Sequence, residues 1–190
     1  GVDLTGGSLS VTARGSDDNY AEAGAAAGGV VGVASAAPTT TTISNTTAEI
    51  RSSSAGRDID LTGGSGVLRI GADHTATVNT KVKTVAGGLI SGAGSSSTNN
   101  VTSNVTAAVG SDVDIRARDI AIDAANHFRK PELSAANISG TTGGLIAGAE
   151  ARSTTLISFT TLVNIGASAS LEVVGIQATA GGFALRALND

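Results

Sequence analysis

Apolar and polar residues alternate along much of this chain. Val113-Asp114-Ile115-Arg116-Ala117-Arg118 sets small or branched apolar residues against charges, and Leu68-Arg69-Ile70 and Leu171-Glu172-Val173 do the same. A period of two sends one set of side chains inward and the other into water, so these segments predict strands. Ile120-Ala121-Ile122-Asp123 and Ile59-Asp60-Leu61-Thr62 are shorter runs of the same kind. Val78-Asn79-Thr80-Lys81-Val82-Lys83-Thr84-Val85 is rich in β-branched residues, which suit a pleated backbone. Helical signals are scarce: Ala21 to Ala27 could support a turn or two, but Gly24, Gly28 and Gly29 oppose it. The expectation is an all-β chain with little or no helix.

A second pattern overlies the first. Gly28-Gly29-Val30-Val31, Gly87-Gly88-Leu89-Ile90 and Gly143-Gly144-Leu145-Ile146 are three copies of one phrase, starting 59 and then 56 residues apart. Twenty-three residues after each first glycine stand Arg51, Gly110 and Gly166, preceded by Ile50, Val109 and Ile165. Ile120 and Ile176 follow as a third landmark, with Ile59 as the counterpart in the first copy. Ile59-Asp60-Leu61-Thr62-Gly63-Gly64-Ser65 also matches Val2-Asp3-Leu4-Thr5-Gly6-Gly7-Ser8. A fixed period of this length marks a repeat architecture. It divides the chain into repeats of about 1–58, 59–119 and 120–175, with the start of another at 176–190. Both ends are thereby expected to fall inside repeats of a longer polypeptide, the whole of 1–190 forming one continuous fragment.

Composition narrows the architecture. Aromatics make up 2% of residues, and Cys, Met and Trp are absent. The core must therefore be thin and built of Val, Ile, Leu and Ala, as a narrow stacked core requires. A hydrophobic share of 41% excludes a fully disordered chain. Short strands, small core residues and the period together favour a parallel β-helix, or β-solenoid, over a sandwich or barrel. Each repeat would divide into about three coils of ~19 residues. About ten coils at ~4.8 Å each would make a rod on the order of 50 Å long. The chirality of parallel crossovers makes a right-handed winding the expectation. The Gly-Gly pairs Gly28-Gly29, Gly87-Gly88 and Gly143-Gly144 are read as structural corners, with Leu89-Ile90 re-entering the core behind the turn.

The chain resembles the β-solenoid stalks of large bacterial surface proteins, the filamentous-haemagglutinin-like and leukotoxin-type filamentous adhesins. The three Gly-Gly-aliphatic phrases, the Val109-Gly110 and Ile165-Gly166 landmarks and strands such as Val113-Asp114-Ile115 carry the resemblance, which runs from about Ala23 to Thr179. It implies a right-handed parallel β-helix, export to the extracellular space or bacterial outer surface, and a role in adhesion, biofilm or matrix. The implied function is structural: a stalk or fibre segment of a secreted adhesin, partnered by adjacent repeats or by itself, stacked end to end into a filament. The alternative is a binding module that grips a glycan or another cell surface with a coil face or a loop. Arg51, where the other copies have glycine, departs from the pattern.

Candidate chemistry adds little. The segment 126–133, Asn-His-Phe-Arg-Lys-Pro-Glu-Leu, breaks the low-charge background and reads as a loop insertion. With His127, Phe128, Arg129 and Lys130 it is the best local candidate for a contact site, since rigid scaffolds present function on loops. Asp112, Asp114, Asp119 and Asp123 raise calcium, but no Gly-Gly-x-Gly-x-Asp nonapeptide supports it. No cofactor motif and no Ser/His/Asp or paired-carboxylate arrangement can be argued, so no enzyme is expected. Thr39 to Thr42, Thr46-Thr47, Thr141-Thr142, Thr154-Thr155 and Thr160-Thr161 could form hydroxyl ladders suited to ice or a polysaccharide crystal. Their spacing looks too irregular for one ladder per coil. A net charge of −4 gives no electrostatic basis for nucleic acid or anionic membrane binding. No apolar run is long enough to insert in a membrane as a helix.

Overall fold

The computed structural model describes residues 4–51, 57–63, 66–131, 137–174 and 182–190. Among them the regular structure is all strand, with no helix. The strands are β1 (Leu4–Thr5), β2 (Leu9–Ala27), β3 (Val31–Ala36), β4 (Thr39–Ile50), β5 (Arg57–Leu61), β6 (Val67–Gly87) and β7 (Ile90–Val109). They continue as β8 (Asp114–Ala117), β9 (Asp119–Arg129), β10 (Ile138–Gly143), β11 (Ile146–Ile165), β12 (Ser170–Val173) and β13 (Gly182–Asn189). Alternation dictates these elements: along β6 every second residue from Leu68 to Ala86 is buried, and those between are not. The long strands stop at the Gly-Gly phrases. One further break, Ala37-Pro38, separates β3 from β4 opposite unbroken β7. Proline donates nothing to the ladder, but its carbonyl accepts from the Thr98 N–H at 3.1 Å, so the edge of the sheet tolerates it.

All pairings are parallel, and they assemble three sheets. An outgoing sheet stacks β2, β6, β9 with β10, and β13. A return sheet stacks β3 with β4, β7 and β11. A short closing sheet stacks β1, β5, β8 and β12. The outgoing and return sheets face each other: Thr80 donates to Asn99 and Thr84 bonds Ser95, both at 2.7 Å. One turn of the chain thus runs out along β6, bends at Gly88-Leu89, returns along β7 and closes through β8. This parallel stack of turns is compatible with a β-helix or solenoid.

The register corrects the expected coil length. Val31 pairs with Ile90 and Ile90 with Ile146, steps equal to the whole repeat. Coils of ~19 residues would put a strand's neighbour a third as far away. The expected rod is replaced by a flattened body: the closing sheet is four strands deep, about 15 Å, whereas the 20 residues of β7 extend about 65 Å. The landmarks Ile50, Val109 and Ile165 do fall in one column. Other sequence matches do not. Ile59 pairs with Ile115 rather than Ile120, Ile120 pairs with Leu68, and Leu4 pairs with Ile59 rather than Leu61. Five residues separate β5 from β6 but only one separates β8 from β9, so the corner between closing and outgoing strands absorbs length changes. Ile176 lies outside the described residues.

The interior tapers. At the wide end, where the closing sheet enters, Leu61, Leu68, Ile70, Ile115, Ile120 and Ile122 are fully buried. Each contributes about 2 kcal/mol by leaving water. Toward the Gly-Gly corner no third sheet holds the two faces apart, and the core shrinks to Ala34, Ala86 and Ala93. The narrow core expected from composition is this wedge.

The corner glycines divide into two kinds. A Cβ on Gly88 would meet the Gly29 carbonyl oxygen at 2.4 Å, and one on Gly144 would meet that of Gly88 at 2.2 Å. Gly88 also has φ of 154°. The first glycines, Gly28, Gly87 and Gly143, have open space instead. The aliphatics behind them do not re-enter the core: Leu89 is 55% and Ile90 49% exposed, and Leu145 reaches 86%. With Ala86 and Ala93 already in contact inside, the wedge has no room for them, and they form an apolar ridge along the outer edge. Arg51 fits its place because it lies at the open edge of the return sheet. Its counterpart Gly166 stacks with its Cβ position 2.4 Å from the Ser111 nitrogen. Gly88→Ala is therefore expected to lower the unfolding free energy by more than about 2 kcal/mol, and Gly87→Ala by less than about 1 kcal/mol, measured by urea denaturation.

Candidate functional site

The segment 126–130 is not a loop. Asn126 to Arg129 belong to β9 and pair with His74 to Thr77 of β6. Alternation splits them between the two faces of the sheet. Asn126 is fully buried, and its Nδ2 donates to the Ser103 carbonyl at 3.0 Å. Phe128 packs beside Phe159 against Ala76, Val78 and Val101. His127 lies outward, with Nδ1 bonded to Asp190 and Nε2 3.8 Å from Asp73. Arg129 is exposed, and Lys130 donates to Ser153 at 2.9 Å and Thr155 at 3.1 Å. The proposed contact residues thus do not converge on one surface. An insertion does exist but begins later: Thr77 pairs with Arg129 and Val82 with Ile138, so the chain spends eight residues, 130–137, between two positions that only four residues, 78–81, separate on β6. Residues 132–136 lie outside the described residues.

The polar cluster that the fold does bring together is internal. His74 is 1% exposed and follows Leu68, Ile70 and Ala72 on the inward parity of β6. Its Nε2 lies 3.0 Å from Ser44 Oγ and 3.2 Å from Asp17 Oδ2, and its Nδ1 lies 3.1 Å from Thr46 Oγ1. The neighbour beneath is Gly15, where a Cβ would come within 2.4 Å of Nδ1. Hydroxyl, imidazole and carboxylate on opposite ring nitrogens are the parts of a nucleophilic triad. Here Thr46 is buried at 7% exposure and the ring is walled in, so a substrate carbonyl has no approach. The cluster is a structural tie. It joins β2, β4 and β6, with Asn126 and Ser103 one level further on. The Asp17 Oδ2, Ser103 Oγ and Asn126 Oδ1 atoms of this layer are buried without a protein hydrogen-bond partner. The inward parity of His74 was the signal that could have found it, and only the return strand could supply Ser44 and Thr46.

The outer faces differ in chemistry. On the outgoing sheet, a shallow recess over Gly71 is lined by Arg14, Arg69, Asp73, Asp123 and Arg186, with Arg186 paired to Asp123 at 3.7 Å. Further along, Tyr20 Oη donates to Glu22 at 2.9 Å, and Lys81 lies 3.3 Å from the same carboxylate. The Tyr20 hydrogen bond first, and then Lys81, hold the Glu22 carboxyl below its ordinary range. A lowered carboxylate supports the fold above its unfolded value and loses that support as pH falls through its folded one. Tyr20→Phe is expected to raise the Glu22 titration midpoint, read by NMR of its side-chain carbonyl. Among the described residues no three His, Asp or Glu side chains form a metal-binding group. Asp112 instead occupies the corner after β7, with φ of 58°.

Compared with known proteins, the chain matches no family model, no curated protein and no solved structure.

The two histidines separate interior from surface. His74→Ala is expected to cost about 2–4 kcal/mol, because it leaves the buried Thr46 and half-buried Ser44 hydroxyls without the ring and opens a cavity. His127→Ala is expected to cost less than about 1 kcal/mol, as exposed ion pairs do. Paired urea titrations check the contrast, and equal losses would show that the internal tie is not specific.

Proposed function

We propose that this chain is a structural segment, a stalk or fibre module of a large bacterial surface adhesin, working outside the cell at the bacterial surface. The whole-repeat register supports the reading. Every long strand meets its counterpart one repeat away, so the body lengthens by adding repeats of the same kind. In such a stack each coil contacts only its neighbours, and stability grows with coil number. The winding in this reading is right-handed, as parallel crossovers are. The partners are adjacent repeats, or further copies stacked on the open edges of β4 and β11, where unpaired backbone groups offer a template.

Duplicating residues 87–142 in tandem tests the scaffold. One added coil is expected to raise the thermal midpoint while keeping the β circular-dichroism signal per residue. A lower midpoint, or a lost strand signal, would count against the reading. Sedimentation over a range of concentrations tests end-to-end stacking separately: a monomer throughout would exclude it.

A further inference from the structure

The outer face of the return sheet carries no charge across its central span. Five alternate outward positions on each of β4, β7 and β11, from 39 to 47, 98 to 106 and 154 to 162, are in register, and none of the fifteen is charged. Eight are threonine, three asparagine and one serine. They form columns along the stacking axis, such as Thr39–Thr98–Thr154 and Asn45–Asn104–Thr160. Asn104 Nδ2 donates to Asn45 Oδ1 at 2.9 Å, which orients one column. Of the threonine ladders that looked too irregular in sequence, one, Thr39–Thr98–Thr154, is complete once the coil is a whole repeat; elsewhere threonine shares its column with asparagine, serine or an aliphatic, and Thr141-Thr142 lie on the outgoing sheet. A soluble surface ordinarily mixes both signs of charge through such an area, and the outgoing sheet's face does so with Arg14, Asp73 and Lys81.

We propose that this face binds a neutral, extended polysaccharide laid along the stacking axis. Hydroxyls and amides recur there every ~4.8 Å between strands and every ~6.8 Å along them. The axial repeat is comparable with the length that one pyranose adds to an extended chain, so each coil can meet one sugar. Threonine hydroxyls and asparagine amides both donate and accept, matching sugar hydroxyls. Ile43, 72% exposed, and Leu156, 59% exposed, offer apolar contacts for the C–H faces of the rings. A face without charge does nothing to attract a polyanion and leaves no ion to be desolvated under a neutral chain.

The test uses the whole 190-residue chain, with chitohexaose and cellohexaose as neutral probes and hexagalacturonate as the acidic one, followed by calorimetry and saturation-transfer NMR. At least one neutral hexasaccharide is expected to bind, at least tenfold more tightly than the acidic probe. Thr102→Lys, at the centre of the array, is expected to weaken that binding at least tenfold, while Thr75→Lys on the opposite sheet leaves it unchanged. Should Thr102→Lys disturb the fold by circular dichroism, Asn100→Ala with Thr102→Ala, which only trims outward atoms, replaces it. No neutral binding, equal binding of the acidic probe, or equal losses in the two lysine variants would overturn the proposal. It would also fall if Thr102→Lys instead abolished self-association, which would assign the face to a second copy.

Discussion

Between successive coils, each residue of β7 meets its counterpart 56 places later, and all but Ser96 and Ser97, opposite the Ala37-Pro38 break, pair with the residue 59 places earlier. This parallel ladder is the constraint on which the rest of the structure depends. It requires every coil to follow the path of the one beneath at strand spacing. A position where backbone must pass over backbone admits no side chain, hence Gly88 and Gly144. Arg51 sits at the edge strand, and the first glycine of each pair has open space where a Cβ would stand, even though Gly87 and Gly143 pair with each other in the ladder. The same phrase thus contains one glycine that the stacking of backbone on backbone requires and one where a side chain would have room.

The ladder alone does not hold the two broad faces together. At the wide end the closing sheet supplies Leu61, Ile115 and their neighbours, and apolar burial suffices. Toward the narrow end the interior becomes alanine, serine and threonine, which bury little area. There the tie is polar: Thr84 to Ser95, Thr80 to Asn99, and the His74 cluster between two apolar patches. Small interchangeable residues specify register weakly, because a slip by two keeps every face. A single histidine seated over Gly15 cannot slip without collision. Buried polar groups are known to select one arrangement among several, and His74 is placed to do so here.

Much of the strand content was legible in sequence, because period-two alternation needs no tertiary knowledge. Ile50, Val109 and Ile165 were correctly matched, since the distance between them and the Gly-Gly corner does not change. The errors arose where that constancy fails. Ile59 was matched to the wrong isoleucine because the corner before the outgoing strand differs in length from coil to coil, and both alternatives face inward. The coil was judged too short because a 20-residue strand lies far above the ordinary length. Asn126 to Arg129 suggested a loop because charge and an aromatic broke the background. In the fold those same residues alternate, the amide and ring inward, the imidazole and guanidinium outward. His74 was overlooked as a lone histidine, although its parity already placed it inside.

The length changes and the surface chemistry occupy different parts of the molecule. Insertions fall at the corners beside the closing sheet and after Arg129, away from the middle of the return sheet. The return sheet keeps its strands whole through β7 and β11, and there the outward columns stay aligned and uncharged. A strand that took an inserted residue would shift every later side chain to the other face, so an ordered array survives only where length is held constant. The charged outgoing face has no such array to preserve, and it is the face whose third level is broken between β9 and β10. Constancy of the return strands is therefore needed twice, once by the ladder that stacks the coils and once by the surface pattern that the ladder displays.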